Sequence, residues 1–435
     1  MKKNVLLLFL LGLTIFFSPD ARSQKNEWVE QVFIGVGGKF ETTPPFTDYV
    51  TMQSYDPATQ LSNYFNTIYT QSVQDILIDE GFAYVAAQDS IIKYDINTLQ
   101  RVAAISDSGI SRLAIFSDKL LVSKQFPIKR FFVEVLDAGS LALLDRIQYV
   151  SGDCGDIYCT KDSVYVAVNG GYTSTEGKLA VINPSNWDVT REINLGSGAA
   201  GIFDLYFYDG CIFSINRSGY GSSTGSITAY NVYTTAFTTY PLAFVIADGI
   251  GVIDSVLYLK VNEGIGSYNL KTRQMINHLL IPDPGSANHV YITSGATDYV
   301  DNYLYVNISN RLTWGINVIF STDGDSLDTF TTGINPEAIA LDYRVPVTID
   351  EPSASEPSVA VYPNPITAKA RIQYFGEGTA LEYTIVDLTG KTVEKSSWSG
   401  TNNVAWIDCS TYRSGIYFLR VTSDKGTITR KFIKQ

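Results

Sequence analysis

Residues 162–195 read DSVYVAVNGGYTSTEGKLAVINPSNWDVTREINL, and GDIYCT stands just before them at 155–160. The stretch divides into four strand-like runs, GDIYCT, VYVAVN, KLAVINP and VTREINL, whose apolar and polar residues alternate with the period of an extended chain. Asn183, Pro184, Ser185 and Asn186 fall between the last two runs, where a hairpin needs turn formers. The same unit recurs along the chain. A turn residue pair precedes an alternating strand at Asp79, Asp118, Asp162, Asp209, Asp254 and Asp301, at spacings of 39 to 47 residues. A period of that length with four short strands per unit is the mark of β-propeller blades, whereas the coils of a parallel β-helix are much shorter. Helical periodicity is absent from the region.

The ends of the repeat fix its count. Six units run from Gln74 to about Thr332, and a lone first strand, PEAIALDYR at 336–344, follows them. Three strands without a first strand, EQVFIGV, DYVTMQSY and SNYFNTIY, precede the first unit. Joined, they make a seventh blade that zips the ring shut and removes open sheet edges. The expected fold is therefore all-β: a seven-bladed β-propeller over 24–345, a linker over 346–358 and a small β-sandwich over 359–435.

Composition narrows the function. The 435-residue chain carries a net charge of −12 and 28 tyrosines, so a nucleic-acid partner, which needs a basic footprint, is excluded. Lys2 and Lys3 followed by the short apolar run 5–17 and by Ala21-Arg22-Ser23 read as a signal peptide over 1–23, with Gln24 as the mature start. No later run approaches the ~20 apolar residues of a membrane-spanning helix. The four cysteines, Cys154, Cys159, Cys211 and Cys409, are too sparse for a disulfide framework, and Cys159 and Cys211 sit in apolar strand patterns as buried thiols.

The units typified by 162–195 resemble the YncE-like propellers, a group related to surface-layer and quinoprotein-like seven-bladed propellers. The resemblance implies a binding scaffold, and in some relatives capture of a corrinoid. After Arg344 a proline-rich stretch leads to a second resemblance. Tyr362-Pro363-Asn364-Pro365, the DLTGK turn with Gly390 and Lys391, the strand of Gly415 and Tyr417, and the closing KFIK match in order the type A sorting domain of the type IX (Por) secretion system of Bacteroidota. That match implies passage through the periplasm, export to the outer-membrane surface or beyond, and as partners the secretion machinery and its sortase-like peptidase. An ordinary immunoglobulin-like binding module is the alternative for this segment.

No catalytic constellation stands out. Only two histidines exist, no GxSxG elbow precedes a helix, no HExxH occurs, and no cofactor or metal is expected. GSGAAG at 196–201 matches GxGxxG but links two strands, so it reads as a tight turn and not as a dinucleotide site. DGDSLD at 323–328 reads as a hairpin turn, with a calcium loop as the alternative.

The loops say more. First-to-second and third-to-fourth turns are short everywhere. Second-to-third loops, which share the other face with the blade-to-blade links, are long at 37–48, 125–130, 169–178, 216–224 and 307–315. They carry Phe126, Lys129, Arg130, Tyr172, Arg217, Tyr220, Arg311 and Trp314, and His289 lies in a link on the same face. Aromatic faces interspersed with cations suit a planar or sugar-like ligand. The reading is a surface protein that captures a small molecule, glycan or protein partner there. An extracellular carbohydrate-active lyase or hydrolase is the alternative, for which carboxylates such as Asp153 and Asp156 need geometry to judge.

Overall fold

The computed structural model describes residues 27–41, 43–217, 219, 221–285, 289–345, 358–375, 380–398, 404–423 and 426–435. The expected signal peptide, the linker up to residue 357 and Tyr220 lie outside the described residues. The chain divides into two compact units, Met1–Val345 and Pro346–Gln435.

The first unit is a β-propeller, with seven four-stranded antiparallel sheets among its described residues. They are numbered here as blades 1 to 7, each taking its number from the order of its innermost strand: Asp75–Asp79, Ile110–Phe116, Cys154–Cys159, Ile202–Tyr208, Ile246–Ile253, Tyr291–Asp298 and Pro336–Arg344. Blades 1 to 6 run in simple sequence order from the innermost strand outward. In blade 7 the innermost strand, Pro336–Arg344, pairs with Trp28–Val36 from the other end of the chain, and Val50–Asp56 and Leu61–Ile68 complete the sheet. The pairing runs from Trp28 opposite Arg344 to Val36 opposite Pro336 and covers the edge that Ala338 and Ala340 would otherwise expose.

Burial grades across each blade, and the sequence shows why. In blade 3 the second strand, Val164–Val168, is buried throughout because neighbouring blades cover both its faces. The outermost strand, Val189–Gly196, is largely exposed and accordingly polar. Each of the seven blade-to-blade contacts has its own apolar cluster. That between blades 7 and 1, for example, joins Phe33 and Met52 to Ile76 and Val85.

The GSGAAG segment forms a 3-10 turn over Ser197–Ala199 that leads into a strand, with Gly196 and Gly201 at φ 77° and 70°. The 323–328 segment is a hairpin turn in which the Ser321 hydroxyl accepts the N–H groups of Asp323 and Asp325 at 3.2 Å each. All four cysteines are free, with Cys159 half-buried and the others buried.

The second unit packs a three-stranded sheet (Ser358–Tyr362, Lys369–Phe375, Val404–Asp408) against a four-stranded one (Thr392–Ser397, Ala380–Asp387, Gly415–Ser423, Gly426–Lys434). One core unites them, with Ile372 and Ile407 from the first sheet meeting Ile385, Leu419 and Phe432 from the second.

Candidate functional site

The innermost strands of the propeller line a central cavity of about 280 Å3. Each blade contributes a polar residue near the head of its inner strand: Asp75, Arg112, Asp156, Asp204, Asp248, Ser294 and Glu337. Four of the carboxylates reach sideways. Asp75 accepts the N–H of Leu113 at 2.8 Å, Asp156 that of Leu205 at 3.0 Å, Asp204 that of Gly249 at 2.8 Å and Glu337 that of Val73 at 2.7 Å. In every case the donor belongs to the next blade or to the link that enters it, so the carboxylates clasp the ring from inside.

Arg112 crosses the cavity. It donates to the Gln74 carbonyl at 3.2 Å and stands 3.4 Å from Asp204 and 3.8 Å from Asp248. Lys260 donates to the Thr293 carbonyl at 3.1 Å and lies 3.8 Å from Asp248. Burial, then the charge of Asp204, pushes the Asp156 carboxyl up to about 7, against the Leu205 N–H and Arg112. Burial likewise raises Asp75, Asp204 and Glu337. Asp248 is the exception: although burial opposes it, Arg217, Lys260 and Arg112 hold it below its ordinary value.

A second cavity, a cleft of about 450 Å3, opens among the long loops. Three successive blades supply its walls: Phe126 from blade 2, Tyr172 from blade 3 and Arg217 from blade 4, over Phe203. Phe126 and Tyr172 are 78% and 83% exposed. Arg217 is fixed. Its guanidinium lies 3.3 Å from the Phe203 ring centroid, its Nε donates to the Ala247 carbonyl at 3.0 Å, and it pairs with Asp248. Arg112 approaches the same ring at 4.6 Å, so Phe203 is gripped by two guanidiniums, one of the cleft and one of the channel. The blade 3 loop folds back on Asp153, whose carbonyl accepts the N–H groups of Asn169 and Gly170. Gly171 sits at φ 77°, and a Cβ there would stand 2.9 Å from the Asp153 carboxylate. Exposed rings beside Arg217, Asn169 and Asp153 offer stacking faces and hydrogen-bonding edges together.

The remaining loop residues lie elsewhere. Lys129 and Arg130 face a separate cavity of about 520 Å3 on the other flank of the loop that carries Phe126. Arg311 lies 4.9 Å over the Tyr291 ring, and the main chain of Trp314 is tied to Ser309 and Asn310. Neither lines the cleft, and neither does His289, which stands at φ 56° beside the bridge between Gly285 and Val290. The blade 6 loop is short because its strands extend to Ser309 and resume at Gly315.

Of the inner carboxylates the sequence reading named only Asp156, paired with Asp153, and missed Asp75, Asp204, Asp248 and Glu337. Their signal was present: Asp-Ile, Asp-Ile, Asp-Leu and Asp-Gly at 75, 156, 204 and 248, each at the head of a first strand, one blade apart except across blade 2, where Arg112 takes the position.

In the second unit the motif residues meet in space. The Asn364 side chain accepts the Ile433 N–H at 2.8 Å, and Ile366 exchanges main-chain hydrogen bonds with Ile433 and Gln435, so the YPNP segment clamps the last strand. The Tyr417 ring stacks on Phe432 with centroids 5.6 Å apart, and its hydroxyl donates to the Arg413 carbonyl. Gly415 opens its strand opposite Lys434. Gly390, at φ 82°, closes the turn before Lys391, in which the Asp387 carboxylate accepts the N–H groups of Thr389 and Lys391.

Residues 360–435 match the family described as the secretion system C-terminal sorting domain. The second unit is a sorting domain. A tail of this kind marks a chain for export to the cell surface or the extracellular space. No helix among the described residues is long and apolar enough to cross a membrane.

Among solved structures, the chain is similar to a 6-phosphogluconolactonase-like protein of Bacteroides fragilis, with a TM-score of 0.51 and 11% identity over 72% of this chain and 98% of that one. It is also similar to hydrazine synthase of Kuenenia stuttgartiensis, with a TM-score of 0.50 and 10% identity over 69% and 97%. At such identities the similarity is one of fold. No curated protein sequence matches the chain.

Proposed function

We propose that the protein is a surface-attached or secreted, YncE-like seven-bladed propeller that captures a ligand in the cleft of Phe126, Tyr172 and Arg217 after export by the type IX secretion system. The observation that carries this reading is the convergence of one aromatic or cationic side chain from each of three successive blades, with two rings left exposed over a packed base. Exposed aromatic rings on ordered loops cost a protein solubility and add little stability, which favours a binding role for them. The sorting tail supports the destination and, as partners, the secretion machinery and its sortase-like peptidase.

An extracellular carbohydrate-active enzyme is the second reading, favoured by a carboxyl that titrates near 7 in an open cavity. Against it, Asp156 and its neighbours already accept main-chain hydrogen bonds that join blades.

The test is a screen of the purified chain against small planar ligands, corrinoids and oligosaccharides, repeated with Phe126→Ala and Tyr172→Ala. Each substitution is expected to weaken binding by about 1–3 kcal/mol with an unchanged melting temperature. A ligand whose affinity is indifferent to both would refute the cleft.

A further inference from the structure

The 125–132 loop of blade 2 has two flanks. Phe126 faces the cleft, whereas Pro127, Ile128, Lys129, Arg130 and Phe131 face the neighbouring cavity of about 520 Å3. The base of that cavity is electrically balanced. Lys124, only 2% exposed, pairs with Asp107 and stands 3.1 Å from Glu134, and Arg146 holds the other oxygen of Glu134 at 2.8 Å. Two cations therefore answer two carboxylates.

Lys129 and Arg130, both exposed, have no ion-pair partner among the described residues, and Arg130 lies 5.1 Å over the Phe131 ring. Two positive charges thus stand uncompensated at the rim of a concave site, on a chain whose net charge is −12. A concave wall of low polarizability concentrates their field, and the balanced base keeps the carboxylates from cancelling it.

The geometry points to an oxyanion subsite in which Lys129 and Arg130 bind a carboxylate or sulfate group of an acidic polysaccharide, next to the sugar ring held in the Phe126–Tyr172 cleft. This rests on the reading of the cleft as the binding site. The loop itself supplies the argument for a polymer: only Pro127 and Ile128 separate an exposed stacking ring from the first free cation, so adjacent units of one chain meet both. Guanidinium and ammonium groups bind such oxyanions through charge-assisted hydrogen bonds.

Affinity electrophoresis of the full chain in gels containing polygalacturonate, alginate, sulfated galactan, neutral galactan or xyloglucan tests the inference. At least one acidic polymer should retard the protein, and the double variant Lys129→Ala, Arg130→Ala should weaken that interaction about ten-fold or more without changing the melting temperature or any neutral-polymer binding. Retardation by no acidic polymer, or full retardation of the double variant, overturns it. Competition by inorganic sulfate as strong as that of the polymer would mean a free-anion site and would overturn the polysaccharide assignment, as would selective binding of an acidic protein instead. The variant pair Phe126→Ala and Tyr172→Ala separates the two readings. Acidic-polymer binding lost only with Lys129 and Arg130 keeps the subsite and refutes the cleft, and the reverse pattern keeps the cleft and refutes the subsite.

Discussion

In the central channel, Asp75, Asp156, Asp204 and Glu337 each give an oxygen to a main-chain N–H across a blade boundary, and Arg112 links blade 2 to Gln74 at the entry to blade 1 and to the carboxylates of blades 4 and 5. In the cleft a short distance along the same face, the rings of Phe126 and Tyr172 stand more than three-quarters exposed over Phe203. Both regions are concave and both mix charge with aromatic surface. They differ in what their polar atoms already do. A propeller has no hydrophobic core at its axis, so the inner strands need polar partners there, and the partner atoms come from adjacent blades. The loops above carry no such duty once their own turns are satisfied. Concavity and charge alone would therefore pick the channel as the site, and hydrogen-bond accounting moves the choice to the cleft.

The largest effect that separates the two regions is expected from Asp204→Ala. Asp204 is 5% exposed, and its loss leaves the Gly249 N–H without its acceptor and Arg112 without its nearest carboxylate. Removing one partner of such a buried pair costs about 3–5 kcal/mol, whereas Phe126→Ala changes stability by less than about 0.5 kcal/mol. Denaturant unfolding measures both. Equal stabilities would end the distinction between a structural channel and a functional cleft.

A smaller effect comes from pH. The folded Asp156 carboxyl, at about 7, sits above its unfolded value of about 4. Between those values the folded chain holds a proton that the unfolded chain releases, so this group's contribution is complete at low pH and fades as pH rises through about 7. Asp156→Asn keeps an acceptor for Leu205 and cannot ionise. It should reduce the fall in melting temperature between pH 4 and pH 8, and a variant whose slope matches the parent would show that Asp156 does not carry that proton.

The blades were legible in the sequence because short strand-like runs bounded by turn formers recur at a nearly constant interval, as in 155–195. The closing strand was legible for the same reason, since 336–344 had no partner after it and 28–68 lacked a first strand. The site was legible only in part. Phe126, Lys129 and Arg130 are neighbours in sequence, yet the loop turns between them and sends the ring and the cations to different cavities. Tyr172 and Arg217 are 45 residues apart and meet because one blade period returns the chain to the same height. The channel carboxylates recur with the blades, yet a sequence shows no partner for them, and only their cross-blade hydrogen bonds reveal their work.

Arg217 belongs to both regions, and it offers the finest test. Its guanidinium forms part of the cleft wall, stacks on Phe203 and pairs with Asp248 of the channel, while about a third of its side chain remains exposed. Solvent screens such a pair, so Arg217→Ala should cost only about 1 kcal/mol of stability, far less than Asp204→Ala. Arg217→Lys divides the two roles. An ammonium still neutralises Asp248, which Lys260 and Arg112 also approach, so the melting temperature should return close to that of the parent. An ammonium cannot lie flat on Phe203 or present two parallel donors to a ligand, so capture should stay weak. Thermal melts and titrations on the parent and the two variants decide the matter. Recovery of both properties in Arg217→Lys would mean that charge alone is required, and the planar stacking that shapes the cleft would lose its place in recognition.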